Sequence, residues 1–254
     1  MSLLVVLFAL GLCVGSFLNV VIWRLPRGGS VVQPPSHCPN CEMQLRARDL
    51  VPIVSWLVLR GGCRGCRARI SVRYPVVEFV TGLLFVAIGV RFGLSLAVLP
   101  FLVFTAIAVA LTGIDLDTLT LPRQLIYGGA VAGAVLLTMS ALVQGEPARL
   151  AGAAIGAAIA SGALLAVHEL SPRAMGFGDV RFAGLIGLHI GWLGVAQVPA
   201  ALLLAFVLGA VGGLAFLVLR RRGWRTQVPF GPFLAAGALV TVLWGRPLVH
   251  AWLG

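Results

Sequence analysis

Residues 2–23 read SLLVVLFALGLCVGSFLNVVIW, a run with no charged residue. As a helix it would extend about 33 Å, enough to cross roughly 30 Å of hydrocarbon. No basic segment precedes it, so it reads as a first membrane helix and not as a cleavable signal peptide. Similar apolar segments recur at about 75–90, 94–114, 124–143, 150–168, 179–196, 198–219 and 230–252. That makes about eight transmembrane helices, the second and sixth of them short.

The composition agrees. Of the 254 residues, 59% are hydrophobic and 11% charged, and the mean hydropathy is +1.02. A soluble domain carries about a quarter charged residues. The expected fold is therefore an all-α polytopic membrane protein in a lipid bilayer. The small-residue run AGAAIGAAIASGA at 151–163 suits close helix packing.

Arginine sets the orientation. No lysine occurs, so all 19 basic residues are arginines and the net charge is +11. With the N-terminus outside, sixteen of them fall on inner segments: nine in 24–73, then Arg123, Arg173, Arg181 and four in 220–225. Only Arg91, Arg149 and Arg246 stay outside. Arginine-rich loops remain cytoplasmic, so both termini are expected outside and the long loop inside. This bias accounts for the basic charge without nucleic acid as a partner. The loop offers only Trp56 and Tyr74 for base stacking, both in apolar contexts.

That loop, HCPNCEMQLRARDLVPIVSWLVLRGGCRGCRARISVRYP at 37–75, holds Cys38, Cys41, Cys63 and Cys66 in a C-x2-C-x21-C-x2-C pattern. Paired C-x-x-C knuckles suit four thiolates around a tetrahedral structural zinc. A cytoplasmic position keeps such thiols reduced. Unmetallated or redox-active thiols are the alternative. His37 is not needed as a ligand, and Cys13 lies in an apolar helix as a packing residue.

The acids are Glu42, Asp49, Glu78, Asp115, Asp117, Glu146, Glu169 and Asp179. A carboxylate at the edge of hydrocarbon is costly unless paired or hydrated. Asp115 and Asp179, 64 residues apart in sequence, both fall at the expected inner boundary. Asp179, behind the glycines of AMGFGDVRF, has a plain reading as the cap of the sixth helix. The sharper reading is an aspartic dyad that shares one proton and works as acid and base. Asp117 rivals Asp115, and spacing alone does not choose between them. His168, His189 and His250 sit within or at the ends of apolar helices and read as packed or interfacial groups. Glu78, Glu42 and Asp49 are candidates to attract a basic substrate segment, against local pairing with arginine. Asn19 bridges helices or lines the site.

The motifs then resemble one family over almost the whole chain. They are GSFLNVVIWRLP at 15–26, the two C-x-x-C pairs with SWLVLRG between them, and RYPVVEFVTG at 73–82. IDLDTLTLP at 114–122, MGFGDVRF at 175–182 and PFGPFLAAGA at 229–238 follow. In this order they resemble the bacterial type IV prepilin peptidases, bifunctional leader peptidases and N-methyltransferases of the inner membrane. The resemblance implies Asp115, seven residues before Pro122, and Asp179 of G-x-G-D as the catalytic pair. It implies cleavage of the basic leader of prepilins or pseudopilins on the cytoplasmic face, after a glycine. It also implies S-adenosylmethionine as donor for methylating the new N-terminus. The tetracysteine loop is similar to the family's zinc-binding segment, which lies outside the cleavage chemistry. Two positions depart from the pattern: Arg123 stands after L-P where Asp or Asn is usual, and Arg181 stands where Lys is usual.

The expected organisation is a first helix at 1–23, a cytoplasmic loop domain at 24–75 and a membrane peptidase domain at 76–254. Two other classes compete on the residues alone. One is a non-catalytic scaffold of a secretion or pilus assembly system. The other is a transporter with a carboxylate proton relay, which expects its acids near the bilayer midplane.

Overall fold

The computed structural model describes residues 2–172, 175–220 and 228–253, with the side chains of 216–220, 246 and 248–253 left aside. Arg173, Arg221, Arg222 and Arg225, and the side chains of Arg220, Arg246 and His250, therefore lie outside the described residues. The long helices are α1 (Ser2–Arg24), α3 (Arg73–Phe92), α4 (Val98–Thr118), α5 (Arg123–Val143), α6 (Ala148–Leu170), α7 (Phe177–Leu193), α8 (Gln197–Arg220) and α9 (Gly231–Leu253). A short helix, α2 (Val54–Val58), lies in the loop. No strand occurs among the described residues. The protein is an all-α polytopic membrane protein.

Among the described residues, six of the long helices are long and apolar enough to cross a bilayer. α7 falls short at 17 residues. α9 is interrupted at Trp244 (φ −128°, ψ 15°), three residues before Pro247, whose ring clashes with a carbonyl of the preceding turn.

By contact the chain divides into two compact units, 1–93 and 94–254. In the first unit α1 packs on α3. Gly11 and Gly15 make the approach possible. A Cβ on Gly11 would stand 2.7 Å from Gly82 Cα, and one on Gly15 would stand 2.7 Å from Glu78 Cα. Small residues let helix backbones meet where lipid offers no hydrophobic drive to association. Buried Asn19 donates from Nδ2 to the Tyr74 carbonyl at 3.2 Å and so ties α1 to the start of α3. Buried Glu78 accepts the Ile53 N–H at 2.7 Å and anchors the loop just before α2.

In the second unit the small-residue run of α6 lies against α7. A Cβ on Gly152 would stand 2.7 Å from the Gly191 carbonyl oxygen. The unit's centre is apolar, with Phe101, Phe104, Ile114, Phe182 and Leu185 almost fully buried. The last turn of α4 and the first turns of α7 and α9 meet at one end of this unit, and they carry the candidate site.

Candidate active site

Asp115 sits in the last turn of α4, 5% exposed, whereas Asp117 two residues on is exposed. The helix stops because Leu119 turns left-handed (φ 53°) and donates its N–H to the Asp115 carbonyl at 3.0 Å. A helix C-terminus presents carbonyls and is a poor setting for a carboxylate. Its compensation comes from far along the chain. The Gly231 N–H, at the first residue of α9, donates to Asp115 Oδ2 at 2.8 Å.

Asp179 occupies the first turn of α7 and is 9% exposed. Its Oδ2 accepts the Gly176 N–H at 3.1 Å, and its own N–H donates to the Gly176 carbonyl at 3.1 Å. Gly176 is the N-cap, not Asp179, whose side chain at the third helical position bonds back to the cap's N–H, where the dipole favours negative charge. Gly178 brings this turn against the segment after α4: a Cβ there would stand 3.0 Å from Leu121 Cβ. Asp115 and Asp179 are thus both buried at helix ends of the same unit.

The surroundings of the pair are specific. Arg181 stacks over the Phe177 ring at 4.5 Å. Its buried Nε has no hydrogen-bond partner among the described residues. Arg123 is exposed at the start of α5. His168 donates from Nδ1 to the Met175 carbonyl at 2.8 Å and packs edge-on against Phe177, fastening the α6–α7 connection. His189 is fully buried, donates from Nδ1 to the Leu185 carbonyl at 2.9 Å, and stacks on Phe104 with centroids 4.6 Å apart.

The four loop cysteines converge. Their sulfurs all lie within 4.8 Å of one another, with Cys38–Cys66 at 3.8 Å and Cys41–Cys63 at 3.9 Å. Sulfurs at the corners of a tetrahedron about zinc, with bonds of about 2.3 Å, stand about 3.8 Å apart. The two knuckles repeat one local fold. The Cys38 N–H donates to Met43 and the Glu42 N–H to Cys38. Likewise the Cys63 N–H donates to Ala68 and the Arg67 N–H to Cys63. Glu42 and Arg67 take matching left-handed conformations, φ 55° and 60°.

The charge state of the cluster also fits a cation. The Asn40 amide, donating to Cys66 Sγ, pulls that thiol down to about 6. Cys41, although Met43 lowers it through its backbone N–H, is pushed up to about 11 by the crowding of Cys66 and its other neighbours. A divalent ion would remove that conflict. Asp49 serves the second knuckle. Arg64 donates to it from Nε at 2.8 Å and from a terminal nitrogen at 2.6 Å, holding the carboxyl below its ordinary range.

Asp49 is therefore locally paired, Glu78 anchors the loop, and Asn19 joins helices. Sequence reasoning assigned no role to Gly231, although PFGPF at 229–233 was visible as a motif. Its N–H serves a carboxylate 116 residues away, a contact without a local signature.

A bundle of long apolar helices with buried acids at helix ends belongs to the class of polytopic membrane proteins. Residues 9–92 match the family described as Bacterial Peptidase A24 N-terminal domain. Residues 102–214 match the Type IV leader peptidase family. A prepilin leader peptidase/N-methyltransferase of Aeromonas hydrophila is 35% identical over 97% of this chain and 92% of its own. One from Bacillus subtilis (strain 168) is 32% identical over 99% and 98%. One from Myxococcus xanthus (strain DK1622) is 41% identical over 88% of this chain and 66% of its own. No solved structure matches. The chain belongs to the type IV leader peptidase family.

Proposed function

We propose that this chain is an aspartic endopeptidase that removes the leader of type IV prepilins or pseudopilins and N-methylates the new N-terminus. The observation that carries the peptidase reading is the burial of both Asp115 and Asp179, where α4 ends and α7 begins. With one proton on the pair, the ionised carboxyl takes a proton from water as general base. The protonated carboxyl polarises the scissile carbonyl and then passes its proton to the leaving amine. Asp117, exposed in the same last turn of α4, takes no part.

The arginine distribution supports a site at the cytoplasmic face of the inner membrane, with both termini outside. A prepilin would keep its apolar helix in the bilayer and offer its basic leader from the cytoplasm. The cleavage junction then meets the dyad at the membrane boundary. The tetracysteine loop holds structural zinc in this reading, through Cys38, Cys41, Cys63 and Cys66, apart from the cleavage chemistry.

S-adenosylmethionine supplies the methyl group in the second activity. None of the described residues is assigned to hold it, and the family membership carries that half of the proposal. Incubation of mature pilin with labelled donor tests it, and absence of label in the pilin would leave a peptidase alone. For cleavage, membranes carrying Asp115→Ala or Asp179→Ala are expected to insert the protein yet leave a prepilin unprocessed. Full processing by either variant would refute the dyad.

A further inference from the structure

We infer that Gly231 is a positioning residue of the cleavage site: its backbone N–H aims the Asp115 carboxylate, and only glycine leaves room for that carboxylate. The inference rests on the reading of Asp115 as catalytic and adds a third segment, the start of α9, to the pair. Among the described residues Gly231 is the donor to Asp115 Oδ2, and its 2.8 Å distance is that of a charge-assisted bond.

The start of α9 is built to spare this donor. Phe233 and Leu234 give their N–H groups to the Phe230 carbonyl at 3.0 and 3.1 Å. Pro232 has no N–H to give. Gly231 thus presents one of the free donors of a helix N-terminus, and it points at an acid whose own helix ends in carbonyls.

The need for glycine does not come from its backbone, which lies outside the left-handed region. It comes from the space beside it. A Cβ at 231 would stand 2.7 Å from Asp115 Oδ2, 3.2 Å from Cγ and 3.3 Å from Cβ. The carboxylate is short and buried, so it would yield by rotating, and rotation breaks the bond that aims it. The expected consequence is a loss of turnover with substrate binding intact, because Gly231 acts on the Asp115 carboxylate and not on the substrate.

Two variants test this against a Gly128→Ala control, a helical site with nothing within 4 Å of an added Cβ. One is Gly231→Ala. The other places glycolic acid at 231 by suppressor tRNA in cell-free synthesis into nanodiscs, which replaces the N–H by an ester oxygen without adding bulk. Both are expected to lower kcat for prepilin cleavage about ten- to hundredfold, the loss expected for one charged hydrogen bond. KM should stay within about twofold of the control, and the ester should melt within a few degrees of it. Ester kcat within about twofold of wild type, or a loss confined to KM, overturns the inference. Asp115→Asn in the same panel separates the two ideas. If it cleaves normally, the dyad reading itself fails; if it is inactive while the ester is active, only the role of Gly231 fails.

Discussion

Replacing Asp179 separates what the side chain does for the fold from what it does for the reaction. At the third helical position, its Oδ2 takes the Gly176 N–H at 3.1 Å. Losing such a bond to alanine costs about 1 kcal/mol. Asparagine retains a side-chain acceptor, so Asp179→Asn keeps the bond. Both substitutions remove a carboxyl that is 9% exposed, which relieves the cost of burying an ionisable group. Asp179→Asn is therefore expected to unfold at or above the wild-type temperature. Asp179→Ala should fall about 1 kcal/mol below the asparagine variant, or about 2–4 °C for a chain of this size. Neither substitute can exchange a proton with water or a leaving amine, a contribution of about 10²–10⁴ in rate. Thermal unfolding in detergent and single-turnover cleavage of a prepilin measure the two effects on the same preparations. Equal stability of the two variants would refute the role of that bond, and cleavage by Asp179→Asn within about tenfold of wild type would refute the dyad.

Purified protein is expected to carry one zinc per chain by metal analysis, and Cys66→Ser to lower that content and destabilise the loop while leader cleavage persists. Cleavage lost in step with the metal would instead join the loop to the chemistry. Gly15→Val should destabilise the first unit by about 1–3 kcal/mol, the usual cost of overpacking, because its Cβ meets the Glu78 backbone. Thermal unfolding measures this, with Gly128→Ala as the unaffected comparison. Alkaline phosphatase fused after Gly145 should be active and fused after Gly65 inactive. The reverse pattern would invert the topology.

The chain's local properties are easily read. Each long helix announces itself as a largely apolar run, because hydrocarbon leaves a backbone few alternatives to satisfying its own hydrogen bonds. The second and sixth spans, read as short, differ in the outcome. α3 extends to 20 residues from Arg73, whereas α7 remains at 17. The cysteine spacing likewise implies its cluster, since each knuckle is a closed local turn that brings its own two sulfurs together. The short helix α2 inside the loop has no comparable signal in five residues.

Other features needed the tertiary structure. Whether Asp115 or Asp117 faces inward depends on which side of α4 the rest of the bundle covers, and spacing within the segment does not contain that. Glu78 and Asp49 looked equally available to a basic substrate until Glu78 was found holding Ile53 and Asp49 holding Arg64. Local pattern is enough for a helical membrane chain, a four-thiol loop and two acids at helix ends. That the first residue of α9 supplies the hydrogen bond to one of those acids comes from the packing alone. Local pattern records the covalent neighbours of a residue. This donor and its carboxylate are 116 residues apart and are joined only by the packing of their helices.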